Sequence, residues 1–62
     1  MEKFLVWCEA SKLYVEEVLP STDTLLLTSL RGKARSYFKA EADQVCTYLK
    51  RSTGMSFELL DA

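Results

Sequence analysis

Six of the eight basic residues in this 62-residue chain fall within the stretch 30–51, where tyrosines and a phenylalanine separate them. The six are Arg31, Lys33, Arg35, Lys39, Lys50 and Arg51. Clustered cations with interleaved aromatic rings are what nucleic-acid-binding surfaces use to contact phosphates and stack on bases. The first chemistry this pattern suggests is therefore binding of a nucleic acid through the basic stretch Arg31 to Lys39.

The overall charge balance weakens that interpretation. The chain carries 8 Lys and Arg against 9 Asp and Glu, a net charge of −1. Residues 1–30 hold two basic and five acidic residues, whereas residues 31–54 hold six basic and two acidic ones. Two oppositely charged segments packed together would satisfy most of these charges internally, although each exposed pair contributes only up to about 1 kcal/mol. Nucleic-acid binding is accordingly the alternative function, and a helix-turn-helix centred on Gly32 fits poorly because Lys33 follows where an apolar residue is usual.

Catalytic and metal-binding patterns are missing from the sequence. The chain has no histidine, and its two cysteines, Cys8 and Cys46, lie far apart rather than in a paired CxxC motif. It also lacks a glycine-rich phosphate loop and a paired-carboxylate constellation. We predict a non-enzymatic protein with no cofactor and no metal, whose cysteines are reduced thiols packed as small hydrophobic side chains.

The elements that would position these residues are predicted to be helices. Plotted at about 100° per residue, apolar side chains of residues 2–19 share one side of a helix. The residues on that side are Phe4, Trp7, Cys8, Ser11, Tyr14, Val15 and Val18. Pro20 should end this helix, and the following residues 21–23 supply candidates to cap the next one.

A second, longer helix is predicted over residues 23–53. Gly54 is suited to the position after its end, and Lys50 and Arg51 in the last turn are favoured by the helix dipole. Gly32 leaves two alternatives open, since it can either bend one long helix or separate two shorter ones.

The predicted fold class is all-α. We expect a single small domain, residues 1–62, made of an antiparallel helical hairpin that dimerises into a helical bundle; the alternative is a monomeric three-helix bundle. A domain of this size is marginally stable alone, which favours help from a partner subunit. Residues 55–62 are expected to be a short C-terminal tail, either a final helical turn or an exposed peptide that a partner captures.

A second row of side chains on the long helix is not needed to pack the hairpin. It and its neighbours on the first helix are the predicted partner-binding residues: Leu26, Leu30, Tyr37, Glu41, Tyr48, Leu5 and Leu13. Within this row Glu41 either pairs with an arginine of the partner or accepts a hydrogen bond from a tyrosine and stays half solvated.

The leading functional hypothesis is a small protein–protein interaction module, such as an adaptor, assembly subunit or inhibitor. Its partner is expected to be another protein, itself as a homodimer, or both. The apolar runs are too short to span a bilayer or to act as a signal sequence, so a cytoplasmic location is expected.

Overall fold

A computed structural model describes residues 2–62, and its main element is a five-stranded antiparallel sheet. The strands are β1 (Lys3–Cys8), β2 (Leu13–Leu19), β3 (Thr24–Thr28), β4 (Ser36–Phe38) and β5 (Phe57–Asp61). One α-helix, α1 (Lys39–Thr53), packs against β1, β4 and β5. Two short 3-10 turns, Pro20–Thr22 and Arg31–Lys33, precede β3 and β4.

Strand β1 is the centre of the sheet and has partners along both edges. Phe4 pairs with β4 on one edge and with β5 on the other, whereas Trp7 pairs with β2 and with β5. Strands β2 and β4 therefore share one edge of β1, and β5 occupies the whole of the other. Lys12 closes the turn between β1 and β2 with a φ of 58°, and its N–H donates to the Cys8 carbonyl at 2.9 Å.

A β-bulge makes room for β4 beside β1. The ladder between β2 and β3 shifts by one residue between Val15 and Glu17, and such a bulge bends and twists the strand that carries it. Strand β2 leaves β1 at this point, and β4 continues the edge. The Arg35 N–H, just before β4, donates to the Val15 carbonyl at 3.4 Å and joins the two strands.

The core lies between the sheet and α1. Side chains alternate between the two faces of a strand, so Phe4, Val6 and Cys8 of β1 point to the helix side. The buried cluster comprises Val6, Val15, Tyr37, Ala42 and Leu49. The helix contributes the last two, and the strands contribute the other three.

The prediction of an all-α protein is wrong, and the first segment shows the reason. Residues 2–19, predicted as one helix, form the hairpin of β1 and β2. Phe4 and Cys8 are four residues apart, a spacing that fits one side of a helix and also alternate positions of a strand. The bulge then brings Val15 and Val18, three residues apart, to the same face. Strand alternation interrupted by one bulge thus produced a helix-like pattern.

The long helix predicted over residues 23–53 is also wrong in its first half. That half contains β3 and β4, and α1 begins only at Lys39. Gly32 lies inside the 3-10 turn Arg31–Lys33, so the chain changes direction there. Neither the helical hairpin that dimerises into a bundle nor the three-helix alternative describes this fold.

The predicted end of that helix is confirmed. Gly54 follows the last helical residue with a φ of 75°, and its N–H donates to the Lys50 carbonyl at 3.0 Å. Lys50 and Arg51 lie in the last turn. Residues 55–62 differ from the expected tail or helical turn, because β5 forms there and pairs with β1 over its full length.

Burial predicts a large difference between two leucine truncations. Leu49→Ala removes a side chain that is 1% exposed, and we expect it to lower the free energy of unfolding by about 2–5 kcal/mol. The matched control, Leu30→Ala, truncates a side chain that is 55% exposed and should change this quantity by less than about 0.5 kcal/mol. Urea unfolding followed by circular dichroism at low protein concentration measures both. Equal losses would contradict the core described above.

Candidate functional site

The surface with the least protection in this fold is the free edge of β3. Strand β3 pairs with β2 along one edge, and the structure of residues 2–62 shows no strand on its other edge. A free edge presents unpaired N–H and C=O groups that can pair with another chain. The sequence from Thr24 to Leu30, "TLLLTSL", contains no charge and no proline. Charged side chains and prolines, which commonly discourage edge pairing, are therefore both absent from this strand.

The opposite edge of the sheet is protected. Strand β5 pairs only with β1 in the described part of the chain, and it carries two carboxylates, Glu58 and Asp61. Charged side chains on an edge strand oppose pairing with another strand. The edges of β3 and β5 therefore differ sharply in their chemistry. Strand β4 also lies at an edge, since it pairs only with β1 among the described residues, but it is only three residues long.

Exposed leucines collect around the unprotected edge. Leu26 of β3 is 45% exposed, Leu19 of β2 is 43% exposed, and Leu30 just beyond β3 is 55% exposed. Leu19 pairs with Thr24, and Leu26 pairs with Glu17, so Leu19 and Leu26 are diagonal neighbours on the face away from the helix. We call strand Thr24–Thr28 together with Leu19 and Leu30 the β3 edge.

The turn before β3 fixes where the edge begins. Pro20 starts a 3-10 turn, and Asp23 ends it in the left-handed conformation with a φ of 52° and an N–H bond of 3.2 Å to the Pro20 carbonyl. The Tyr48 hydroxyl on α1 donates to the Asp23 carboxylate at 3.1 Å. Burial and this hydrogen bond raise the pKa of Tyr48, so the hydroxyl keeps its proton and the bond at neutral pH. The helix thereby anchors the start of the edge strand.

The predicted partner-binding residues do not form one surface. Leu5 and Tyr37 are buried, whereas Leu26 and Leu30 are exposed and lie at the β3 edge. The other three lie on two other elements: Leu13 at the start of β2, and Glu41 and Tyr48 on α1. Leu26 and Leu30 are therefore the exposed members of the predicted set that lie in β3 or just after it.

Two of the predicted nucleic-acid contacts are engaged within the molecule. The Arg31 guanidinium donates to the Asp61 carbonyl and lies 5.9 Å from the centre of the Tyr14 ring. The Arg35 guanidinium lies 2.6 Å from the Glu17 carboxylate, which joins the acidic first half of the chain to the basic second half. Glu17 raises the pKa of Arg35 through this bond.

The other two predicted contacts lie on different elements. Lys39 pairs with Asp43 one helical turn away at 2.8 Å. Lys33 is exposed in the second 3-10 turn. A phosphate chain would have to compete with three existing interactions, and the four cations do not share a helix face.

A cleft lies between the end of β2 and α1 and contains two of the tyrosines. Its volume is about 320 Å³, and it is lined by Val18, Pro20, Arg35, Tyr37, Gln44, Val45 and Tyr48. Burial raises the pKa of Tyr37; the nearby Arg35 lowers it, while Glu17 and Glu41 raise it further. Because Arg35 at this cleft is already paired with Glu17, the cleft offers no uncompensated positive charge to a ligand.

Sequence reasoning missed both the edge strand and an aromatic pair on the outer face. The rings of Trp7 and Tyr14 meet edge to face with centres 4.8 Å apart, and the Trp7 indole N–H donates to Glu9 at 2.8 Å. The missed signal for the edge was the short run "TLLLT" between turn-forming residues 20–23 and 29–32, which is typical of a strand.

No group of three or more possible metal ligands occurs among residues 2–62. Within the same residues, no helix has the length and apolar character needed to cross a membrane. Cys8 is buried and Cys46 is half-buried, and neither forms a disulfide in the structure. Burial and the neighbouring Asp43 raise the pKa of the Cys46 thiol, which Lys39 opposes.

The fold and this edge define a small antiparallel β-sheet domain with one helix. Comparison with protein-family models, with curated proteins and with solved structures finds no match to the chain.

The buried Tyr37 predicts a loss of stability in alkali. Its raised pKa stabilises the folded protein fully below the pKa of an unfolded tyrosine, about 10, and this contribution disappears as the pH rises through the folded value. We expect wild type to lose more stability than Tyr37→Phe between about pH 7 and about pH 11. Urea unfolding at both pH values measures this, and parallel losses in the two proteins would contradict the proposed burial of the hydroxyl.

Proposed function

We propose that this chain is a protein–protein interaction module that binds an extended segment of its partner along the β3 edge. The partner segment adds a strand to the sheet, with main-chain hydrogen bonds giving affinity and side-chain contacts giving selectivity. The observation that carries the proposal is the contrast between the edges of β3 and β5: the β3 edge is uncharged, whereas the β5 edge carries Glu58 and Asp61.

Side-chain placement supports a partner segment that is apolar at alternate positions. Leu19 and Leu26 form an exposed apolar pair on the outer face. Leu25 and Leu27, on the helix side, are half-buried and pack against the core cluster. A strand placed beside β3 would extend both faces of the sheet. Its side chains on the outer face would lie beside Leu26, and those on the helix side would lie beside Leu25 and Leu27. Such binding depends little on salt because β3 itself carries no charge.

Leu26 is the residue that tests the proposal without disturbing the core. Its exposure lets Leu26→Lys keep the fold, while lysine on an edge strand opposes pairing with another strand. The cytoplasmic location expected from the sequence stays part of the proposal, and the two unpaired thiols support a reducing compartment.

A displayed peptide library is the direct experiment. We expect peptides selected on wild type to be extended, apolar at alternate positions, and to bind Leu26→Lys at least about 10-fold more weakly, a loss of about 1.4 kcal/mol. Backbone amide shifts in residues 24–28 should accompany binding. The matched control is Lys50→Glu, a charge change on the far end of α1, which should bind the same peptides as wild type. Peptides that bind Leu26→Lys as well as wild type would overturn the proposed site.

The alternative of nucleic-acid binding has its own measurement. Since Arg31, Arg35 and Lys39 are engaged internally, we expect no change in anisotropy of labelled single-stranded or duplex DNA at about 150 mM salt. Binding that weakens steeply as salt increases, and that is lost in Lys33→Glu, would instead favour the basic stretch as the functional surface.

A further inference from the structure

We infer that the β3 edge is occupied by a second copy of this chain, paired antiparallel about a two-fold axis through Leu26. This rests on the proposed function and names the partner of the same site. The dimer differs from the helical bundle expected from the sequence, because the two sheets join edge to edge and the helices take no part in the interface.

The sequence of β3 is self-complementary for this pairing. Residues Thr24–Thr28 read "TLLLT" in both directions. With the axis at Leu26, each threonine faces a threonine of the second copy, Leu25 faces Leu27, and Leu26 faces its own equivalent. Thr–Thr and apolar pairs are among the favourable cross-strand combinations.

The same register keeps every side chain on its correct face. Leu25 and Leu27 of both copies remain on the helix side, and both copies of Leu26 remain on the outer side. A shift by one residue would place the helix side of one copy beside the outer face of the other, so the half-buried Leu25 and Leu27 of one copy would face the exposed Leu26 of the other.

Charged side chains near the two ends of the strand are already engaged within each chain. Arg31 donates to the Asp61 carbonyl on β5, and Asp23 accepts a hydrogen bond from Tyr48. The pairing with a second copy therefore depends on the uncharged residues of β3.

The assembly also stops at two copies. A two-fold interface uses the same patch on both chains and closes on itself. The edges that remain free are those of the two β5 strands, which bear Glu58 and Asp61 and repel one another, and those of the two β4 strands, which are only three residues long. Charged edge strands and very short ones both discourage further pairing. The inference is a closed dimer rather than a growing fibre.

Sedimentation equilibrium over a wide concentration range measures the assembly. We expect the mass of wild type to approach twice that of one chain and not to exceed it. Leu26→Lys should weaken self-association about 10-fold or more, because two lysines would face each other across the axis. Its circular dichroism spectrum and thermal unfolding at low concentration should match those of wild type, which shows that the variant is folded.

Disulfide trapping tests the register independently. In a Cys46→Ala background, which leaves only the buried Cys8 thiol, Leu26→Cys should form a covalent dimer in a glutathione redox buffer. Facing residues of antiparallel strands lie about 4.5–5.5 Å apart between Cα atoms, within the range a disulfide needs. The control, Leu30→Cys, is more exposed, yet its two copies would lie about 26 Å apart and should stay monomeric.

Mixing two different cysteine variants tests the register of the two strands more strictly. Thr24→Cys and Thr28→Cys should each fail to cross-link alone, since like positions lie about 13 Å apart, but should cross-link when mixed. Cross-linking of Leu30→Cys as fast as Leu26→Cys would overturn the pairing.

The failure of the dimer can be separated from the failure of the proposed function. A wild-type chain that stays monomeric at all concentrations, yet binds selected peptides in a manner lost in Leu26→Lys, would overturn the self-pairing and leave strand addition standing. A monomer whose selected peptides also bind Leu26→Lys would overturn both. If both hold, an excess of a selected peptide should convert the dimer into a complex of one chain with one peptide.

Discussion

The bulge between Val15 and Glu17 is the constraint on which the rest of the structure depends. It turns β2 away from β1 after two paired residues, and β4 takes the place that β2 leaves. Because α1 follows β4 directly, most contacts of the helix are with β1, β4 and β5. The helix side of the β2–β3 hairpin still packs against the core, whereas the free edge of β3 is left without a neighbouring strand among the described residues.

Polar contacts join the hairpin of β2 and β3 to the rest of the fold at both of its ends. Glu17 of β2 pairs with Arg35 just before β4, and Asp23 accepts a hydrogen bond from Tyr48 of α1. Each is an exposed interaction of small individual strength. These contacts fix the position of the hairpin, because each joins the acidic first half of the chain to an element of the basic second half. The charge asymmetry that resembled a nucleic-acid-binding signal in the sequence is thus used partly to fix the hairpin against the rest of the fold.

Parts of this fold were predicted correctly from the sequence, and the other predictions were wrong for identifiable reasons. The end of α1 was found because Gly54 and the cations at its last turn act locally, within one turn of the chain. The hairpin of β1 and β2 was not found, since its pairing and bulge depend on residues that meet only after folding. Phe4 and Cys8 satisfy helical and strand spacing equally, and β-branched or aromatic content should have decided in favour of strands.

The residues of the candidate site were likewise predicted only in part. Leu26 and Leu30 were identified because the sequence contained more apolar side chains than its predicted packing used, and that observation does not depend on the fold class. Tyr37 and Leu5 were placed in the same surface only through the incorrect helical wheel, and they are buried. The edge itself required knowledge of which strand lies outermost, which no local pattern supplies.

Neighbouring leucines of β3 differ in whether the packing of the fold requires them. Leu25 and Leu27 face the core cluster, so the fold itself requires apolar side chains at these positions. Leu26 faces outward and is 45% exposed, so a charged residue there would protect the edge without disturbing the packing. Strand β5 shows that this chain does carry such protection where pairing is to be avoided, at Glu58. An exposed leucine at the middle of this uncharged edge strand is therefore not required by the packing of the fold.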